Sequence, residues 1–291
     1  MGDVLAGIHA TWEFESDAVV IRFDRGIRTP KLLGALRERR VPHEALASVT
    51  LAPGRRGTLV LHAEPRAGAD PLMEAAAGQL KDGCDPYRLV LPAERGALAE
   101  RHLDELRAVL ADRPGGTGPV DGFLVAPPAG PQSFKAYDGK ATFDGTGEIG
   151  FRWFCTGASS EKWKAGDQTF RTRELSGVEW HSPEHAEGCL RLLRRDAADE
   201  PAPRPDHDPA SVVFGFGYGS VHESLPFAAA VLAAIRGGSA RYPAPVPAQA
   251  TAAPSSAAAP VAVPVPARPH AHADAVGNAV GDSAERIRQI R

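Results

Sequence analysis

Val41-Pro-His-Glu-Ala-Leu-Ala-Ser-Val-Thr-Leu51 and Phe170-Arg-Thr-Arg-Glu-Leu-Ser-Gly-Val-Glu-Trp180 are two versions of one stretch. Each opens on an apolar residue and passes a Glu-x-Leu or Glu-Leu turn. Each closes with a small residue, Val, a polar residue and a large apolar one. The flanks repeat as well. Ala10-Thr-Trp12 is matched by Ala141-Thr-Phe143, and the strand after it by Gly150-Phe-Arg-Trp-Phe-Cys155. Downstream, Gly57–His62 is matched by Gly188–Leu193, Asp85–Leu91 by Asp208–Phe214, and Ala108-Val-Leu110 by Ala230-Val-Leu232. The spacing drifts slowly and the order never changes, the mark of a duplication with loop insertions.

Side-chain period gives each repeat its elements. Trp12 and Phe14 alternate with Thr11, Glu13 and Glu15; Val19, Ile21 and Phe23 alternate with Val20, Arg22 and Asp24. That pattern predicts a hairpin of half-buried strands around Ser16-Asp17. The basic connection 25–40 is expected to hold a short strand or turn through Leu32–Leu36. Pro71–Leu80 reads as a short helical insertion. From Ala93 to Ala111 the period turns helical, with Leu98, His102, Leu106, Val109 and Leu110 on one face. The fold class is mainly β (α+β): two antiparallel barrel or sandwich units at 5–112 and 134–236, each closed by a C-terminal helix. A Gly/Pro-rich linker, 113–133, joins them. Residues 237–282 are Pro/Ala-rich and read as a disordered, extended linker. At 283–291, Ser283, Glu285, Ile287 and Ile290 mark the start of a short helix.

Composition sets the class of partner. The chain has 291 residues, 43% hydrophobic and 24% charged, with net charge −3. Bulk electrostatics therefore does not favour nucleic acid. Cys84, Cys155 and Cys189 form neither a disulfide framework nor a Cys-x-x-Cys pair, which suits the cytoplasm. The N-terminus lacks the pattern of a secretory signal, and no apolar run is long enough to span a bilayer.

Strands followed by one amphipathic helix, twice over, resemble the pleckstrin-homology-like fold. The chain is similar to a family of actinobacterial proteins of unknown function with tandem units of this kind. The similarity rests on Ala10-Thr-Trp-Glu-Phe14, Pro42–Leu51, Gly83-Cys-Asp-Pro-Tyr-Arg-Leu-Val-Leu-Pro92 and Phe151-Arg-Trp-Phe-Cys-Thr-Gly-Ala158. Such proteins often end in a short helical hairpin of the SHOCT type, thought to serve oligomerisation or partner binding. Ala284–Ile290 looks like its beginning. The resemblance supplies no catalytic residues.

Local motifs for chemistry fail on inspection. His181-Ser-Pro-Glu-His185 has the zinc-peptidase spacing, but Pro183 interrupts the helix that chemistry needs, so a turn is expected. Gly215-Phe-Gly-Tyr-Gly219 lacks the last glycine of a dinucleotide loop and any βαβ setting; Phe216 and Tyr218 are expected to pack on one face. Ser220, His222, Glu223 and Ser224 lack a nucleophile elbow, and Ser220 or Ser224 reads as a helix cap. No catalytic residues, cofactor site or metal set are expected, and the chain is read as a non-catalytic binding or scaffold protein mediating protein interactions, with an enzyme whose site is assembled from distant loops as an alternative. Two candidates remain. Arg25, Arg28, Lys31, Arg37, Arg39, Arg40, Arg55 and Arg56 could form a patch for a phosphate group or an anionic membrane surface. Trp163, in a loop, could anchor a protein partner. Open sheet edges also leave a homo-oligomer open.

Overall fold

The computed structural model describes residues 3–112, 116–185, 187–197, 201 and 203–237. The expected linker beyond Gly237 and the helix start at 283–291 lie outside the described residues. Both repeats belong to one compact unit.

The first repeat runs β1 (Asp3–Ala6), β2 (Ala10–Phe14), β3 (Ala18–Phe23), α1 (Lys31–Leu36), β4 (Glu38–Pro42), β5 (Leu46–Pro53), β6 (Leu59–Pro65), α2 (Pro71–Ala76), β7 (Arg88–Leu91) and α3 (Gly96–Ala111). The second repeats that order, without a counterpart of α2 among the described residues. It comprises β8 (Gln132–Lys135), β9 (Gly139–Phe143), β10 (Glu148–Trp153), α4 (Ser160–Ala165), β11 (Gln168–Arg171), β12 (Leu175–His181), β13 (Cys189–Arg194), β14 (Ser211–Val213) and α5 (Val221–Ile235). Each repeat holds an antiparallel four-stranded sheet followed by a three-stranded one. Among the described residues neither repeat forms a closed barrel. In the first, a single bridge from Ile8 to Val90 joins the two sheets at one corner.

The duplicated stretch explains itself structurally. His43–Ala45 and Thr172–Glu174 each make one 3-10 turn, and β5 and β12 begin immediately after. In both, the ladder slips by one residue, between Leu46 and Ser48 and between Leu175 and Gly177. Leu46 and Val49 are an odd number apart and would face opposite sides of a regular strand. The bulge restores them to one side, and both are buried. Leu175 and Trp180 are reconciled the same way.

Three expectations are corrected. Residues 31–36 form helix α1 rather than a strand or turn. Adjacent Leu32 and Leu33 enter different cores, Leu32 that of the second repeat and Leu33 that of the first, which a helix's angular step allows. On α3 the buried stripe is Ala99, His102, Leu103 and Leu106, whereas Leu98 and Val109 are exposed. Trp163 lies on helix α4 rather than in a loop.

The repeats join through the α2 insertion. Leu72, Ala75 and Ala76 pack into the core that contains α5. Glu74 pairs with Arg236, and Gln79 exchanges hydrogen bonds with the Trp180 carbonyl and the Ser182 amide at 2.9 Å each. Helix α5 is buried on nearly every side from Ser224 to Ala233, which explains its apolar sequence all round. The connection between repeats is also packed: Phe123, Leu124 and Val125 are buried, and the last two donate to the Ala69 carbonyl.

The β9–β10 turn illustrates local control. Asp144 accepts hydrogen bonds from the amides of Thr146, Gly147 and Glu148 and from the Thr146 hydroxyl. The amides of Gly147, Glu148 and Thr146, then that hydroxyl, hold its carboxyl far below the usual value of 3.8. A depressed carboxyl stabilises the fold above the unfolded-state value, and the contribution is lost as pH falls through the folded one. Asp144→Ala should therefore lower the urea midpoint at neutral pH, and its gap from the parent chain should narrow below pH 3.8. A gap independent of pH would show that the charge is not what holds the turn.

Candidate ligand-binding cleft

Strand β4 carries consecutive arginines, and alternation sends them to different surroundings. Arg39 points inward and is 7% exposed. Its Nη2 donates to Asp70 Oδ1 at 2.8 Å, and its guanidinium lies 6.0 Å from the Tyr87 ring centre. Burial is the largest single influence and works to lower the Arg39 pKa, but the charge of Asp70, the neighbouring Tyr87 and the Asp70 hydrogen bond together outweigh it, and the pKa is raised. The guanidinium is thus fixed as a cation. Arg39 Nη1 is buried without a hydrogen-bond partner among the described residues. A buried donor left so is costly.

Arg39 lines a cavity of about 890 Å³ between the repeats. Arg37 and Arg40 line it from the same strand and its approach, and His222 and Pro226 from α5. The segment 124–131, with Val125, Pro127 and Pro128, supplies an apolar wall. Arg37 has φ 61° and ψ −74°, a γ-turn conformation that is strained for a bulky side chain and ends α1 sharply. It makes no ion pair among the described residues. Arg40 is held by Glu15 and by both oxygens of Asp17. Pro226 has no N–H, so the helical bond to the His222 carbonyl cannot form. The arrangement offers guanidinium donors above an apolar wall, a setting for an anionic group on a less polar body.

The eight basic residues singled out from the sequence therefore do not form one cluster at this cavity. Arg37, Arg39 and Arg40 line it. Arg25, Arg28, Lys31, Arg55 and Arg56 are exposed and do not. Sequence reasoning missed His222 as a cavity wall, having weighed it only as part of a hydrolase triad. It also missed the apolar wall of the connecting segment, for which the proline run 127–131 was the only signal.

The other sequence motifs are placed as follows. His181 ends β12, and Ser182–His185 forms a turn with the His185 amide on the Ser182 carbonyl. Gly215–Tyr218 is a tight turn closed by a single bridge. Phe216 is fully exposed rather than packed on a face with Tyr218, because the turn projects it outward. Tyr218 stands edge-on to the exposed Tyr137, centres 6.4 Å apart. Ser220 occupies the N-cap position of α5, but its hydroxyl donates to Glu223 instead of capping. Ser224 is buried, donating to backbone carbonyls and accepting from the Trp180 indole at 3.0 Å. Trp153 and Trp180 are core residues, and Trp163 is 58% exposed.

These features define a protein of two repeated β units, each ending in a helix, with a cleft where the units meet that is lined by Arg37, Arg39 and Arg40 and by Glu38 and Glu223. The family described as a domain of unknown function (DUF4429) matches residues 12–107 and 141–232, and the chain belongs to it, carrying the domain twice. No curated protein matches the chain. No helix among the described residues is long and apolar enough to cross a membrane.

Proposed function

We propose that this chain is a non-catalytic binding protein of two pleckstrin-homology-like units, and that the cleft between them takes a phosphate or carboxylate carried on an apolar body. Four strands, then three, then a helix in each repeat support the pleckstrin-homology-like reading. The observation that carries the ligand class is the set of three arginines on the cavity wall, Arg37, Arg39 and Arg40, of which exposed Arg37 makes no ion pair among the described residues. Three free cysteines, Cys155 among them exposed, favour a reducing cytoplasm.

Titration with inorganic phosphate, and separately with anionic and neutral vesicles, tests the proposal. Arg37→Ser combined with His222→Ala should weaken binding by about tenfold, since both line the cavity without building the core. Binding of phosphate in solution would identify a soluble ligand; binding of anionic vesicles alone would identify a headgroup. Binding that is unchanged in the double variant, or no binding of either probe, would overturn the reading.

Exposed aromatics favour a second role in protein contact. Trp163, Phe216, Tyr137 and Tyr218 are all exposed in the second repeat. Lys162, next to Trp163, bonds Asp138, next to Tyr137, so helix α4 and this turn are neighbours. Exposed aromatics of this kind are anchors in protein interfaces.

A further inference from the structure

We infer that the first repeat holds a divalent transition-metal site, formed by Asp3, His102 and Glu105. His102 and Glu105 are three residues apart on α3 and therefore share a face. Asp3 opens β1, and Arg101 ties the two elements together by bonding Asp3 while its Nε lies 3.3 Å from Glu105 Oε1. One ligand atom from each of the three residues lies within 4.8 Å of the others.

The histidine is what distinguishes this cluster from an ordinary acidic surface. His102 is 1% exposed, and its ring stacks on Phe14 with centres 4.4 Å apart and planes 7° from parallel. Phe14 pairs across the sheet with Asp3, so the same register places the stacking ring and the carboxylate. The ring is thus fixed in orientation. Its Nδ1 is buried and has no hydrogen-bond partner among the described residues. Glu105 Oε2 lies 3.3 Å from it, without the geometry of a hydrogen bond. Bonds of about 2.0–2.1 Å to a tetrahedral ion set neighbouring ligand atoms about 3.3 Å apart. The unpartnered nitrogen and the carboxylate oxygen stand at the spacing that an ion between them would impose.

The surroundings suit such an ion. The three residues line a cavity of about 680 Å³ that Glu13, Glu15, Asp17 and His43 also line. Arg22 bonds Glu13 and Arg40 bonds both Glu15 and Asp17, so two guanidinium groups face three outer carboxylates and the lining keeps a negative balance that favours a cation. The open side leaves room for water to complete the coordination. Arg101 holds one oxygen of each ligand carboxylate, the outer-shell role that orients metal ligands. One imidazole nitrogen with two carboxylates favours zinc or a neighbouring transition ion over calcium, which takes oxygen ligands. No sequence motif announces this site, because Asp3 is distant in sequence from the other two. Bound there, the ion would fasten the first strand to the closing helix.

The experiment is calorimetric titration of the chelator-treated full chain with Zn2+ and, separately, Ca2+, with thermal unfolding recorded at each end point. One Zn2+ should bind and raise the melting temperature, with Ca2+ far weaker. Asp3→Asn and Glu105→Gln alter exposed carboxylates and should leave the fold intact while weakening zinc by about tenfold or more. His102→Gln should remove the specific site; the two carboxylate variants keep the test valid should that one fail to fold. Zinc affinity and melting shift unchanged in Asp3→Asn and Glu105→Gln would overturn the proposal and assign binding to other histidines, such as His181 and His185. Absence of zinc binding to the parent chain, or a preference for Ca2+, would overturn it as well.

Discussion

Asp70→Ala should destabilise the chain by about 3–5 kcal/mol, the cost of stranding a buried charge. Asp70 is 2% exposed and serves three partners. Its Oδ1 accepts from Arg39 Nη2 and from the Leu72 amide, and its Oδ2 from the Tyr87 hydroxyl, each at 2.8 Å. The Leu72 contact makes Asp70 the N-cap of α2, the insertion that docks onto α5. Burial, then the charge of Asp70, push the Tyr87 phenol well above its usual range, so it remains a protonated donor. Removing the carboxylate leaves a guanidinium without its counterion, a buried hydroxyl without an acceptor and an uncapped helix. Urea unfolding measures the loss. Asp70→Asn keeps an oxygen for the cap and removes the charge, so it should recover only about 1 kcal/mol. A loss below about 1 kcal/mol for Asp70→Ala would mean that the cluster is not what holds α2 in place.

Lys162→Met should cost about as much, roughly 3–5 kcal/mol, in the second repeat. The Lys162 side chain is fully buried; its Nζ donates to Asp138 Oδ2 at 2.5 Å and to the Ser211 carbonyl at 2.8 Å, and lies 5.0 Å from the Trp153 ring centre. Burial lowers the lysine pKa and raises that of the aspartate, in both cases against their mutual attraction. Desolvation thus outweighs pairing, so the two charges are expensive together and more expensive apart. Replacing both, as Lys162→Met with Asp138→Asn, keeps an acceptor for the Val213 amide and should restore most of the stability. A double variant no more stable than Lys162→Met alone would sink this account. A carboxyl raised in the fold contributes most below its unfolded value and loses that contribution as pH rises through the folded one. The Lys162→Met deficit should accordingly shrink as pH falls toward the ordinary carboxyl value of 3.8, because buried Asp138 takes up its proton above that value.

The duplication was legible because it is written in local order. The two 3-10 turns, the strands on either side and the closing helices all recur where Val41–Leu51 and Phe170–Trp180 placed them. The α2 insertion was legible too, from Leu72, Met73 and Ala76 at helical spacing. Helix α1 was not. Two of its three leucines, Leu32 and Leu33, are bound for different cores, and a period cannot be read from so short a run. Leu98 and Val109 were assigned to the wrong side of α3 because one apolar stripe was drawn too wide.

The candidate site was legible only as a run of basic residues. Strand alternation separates Arg39 from Arg40, but nothing in β4 says that Arg39 meets an aspartate thirty-one positions away. Sequence by itself determined what depends on neighbours along the chain: the repeat, its element order, the turn chemistry and the apolar character of α5. Tertiary structure alone decided what depends on residues far apart: the docking of α2 on α5, the Arg39–Asp70–Tyr87 and Lys162–Asp138 clusters, the cleft and the convergence of Asp3 with His102 and Glu105. The reason is physical. Periodicity records which face of an element is buried, and that is fixed locally by backbone geometry. A buried charge is tolerated only where the fold brings a partner to it, and that meeting leaves no mark in either local sequence.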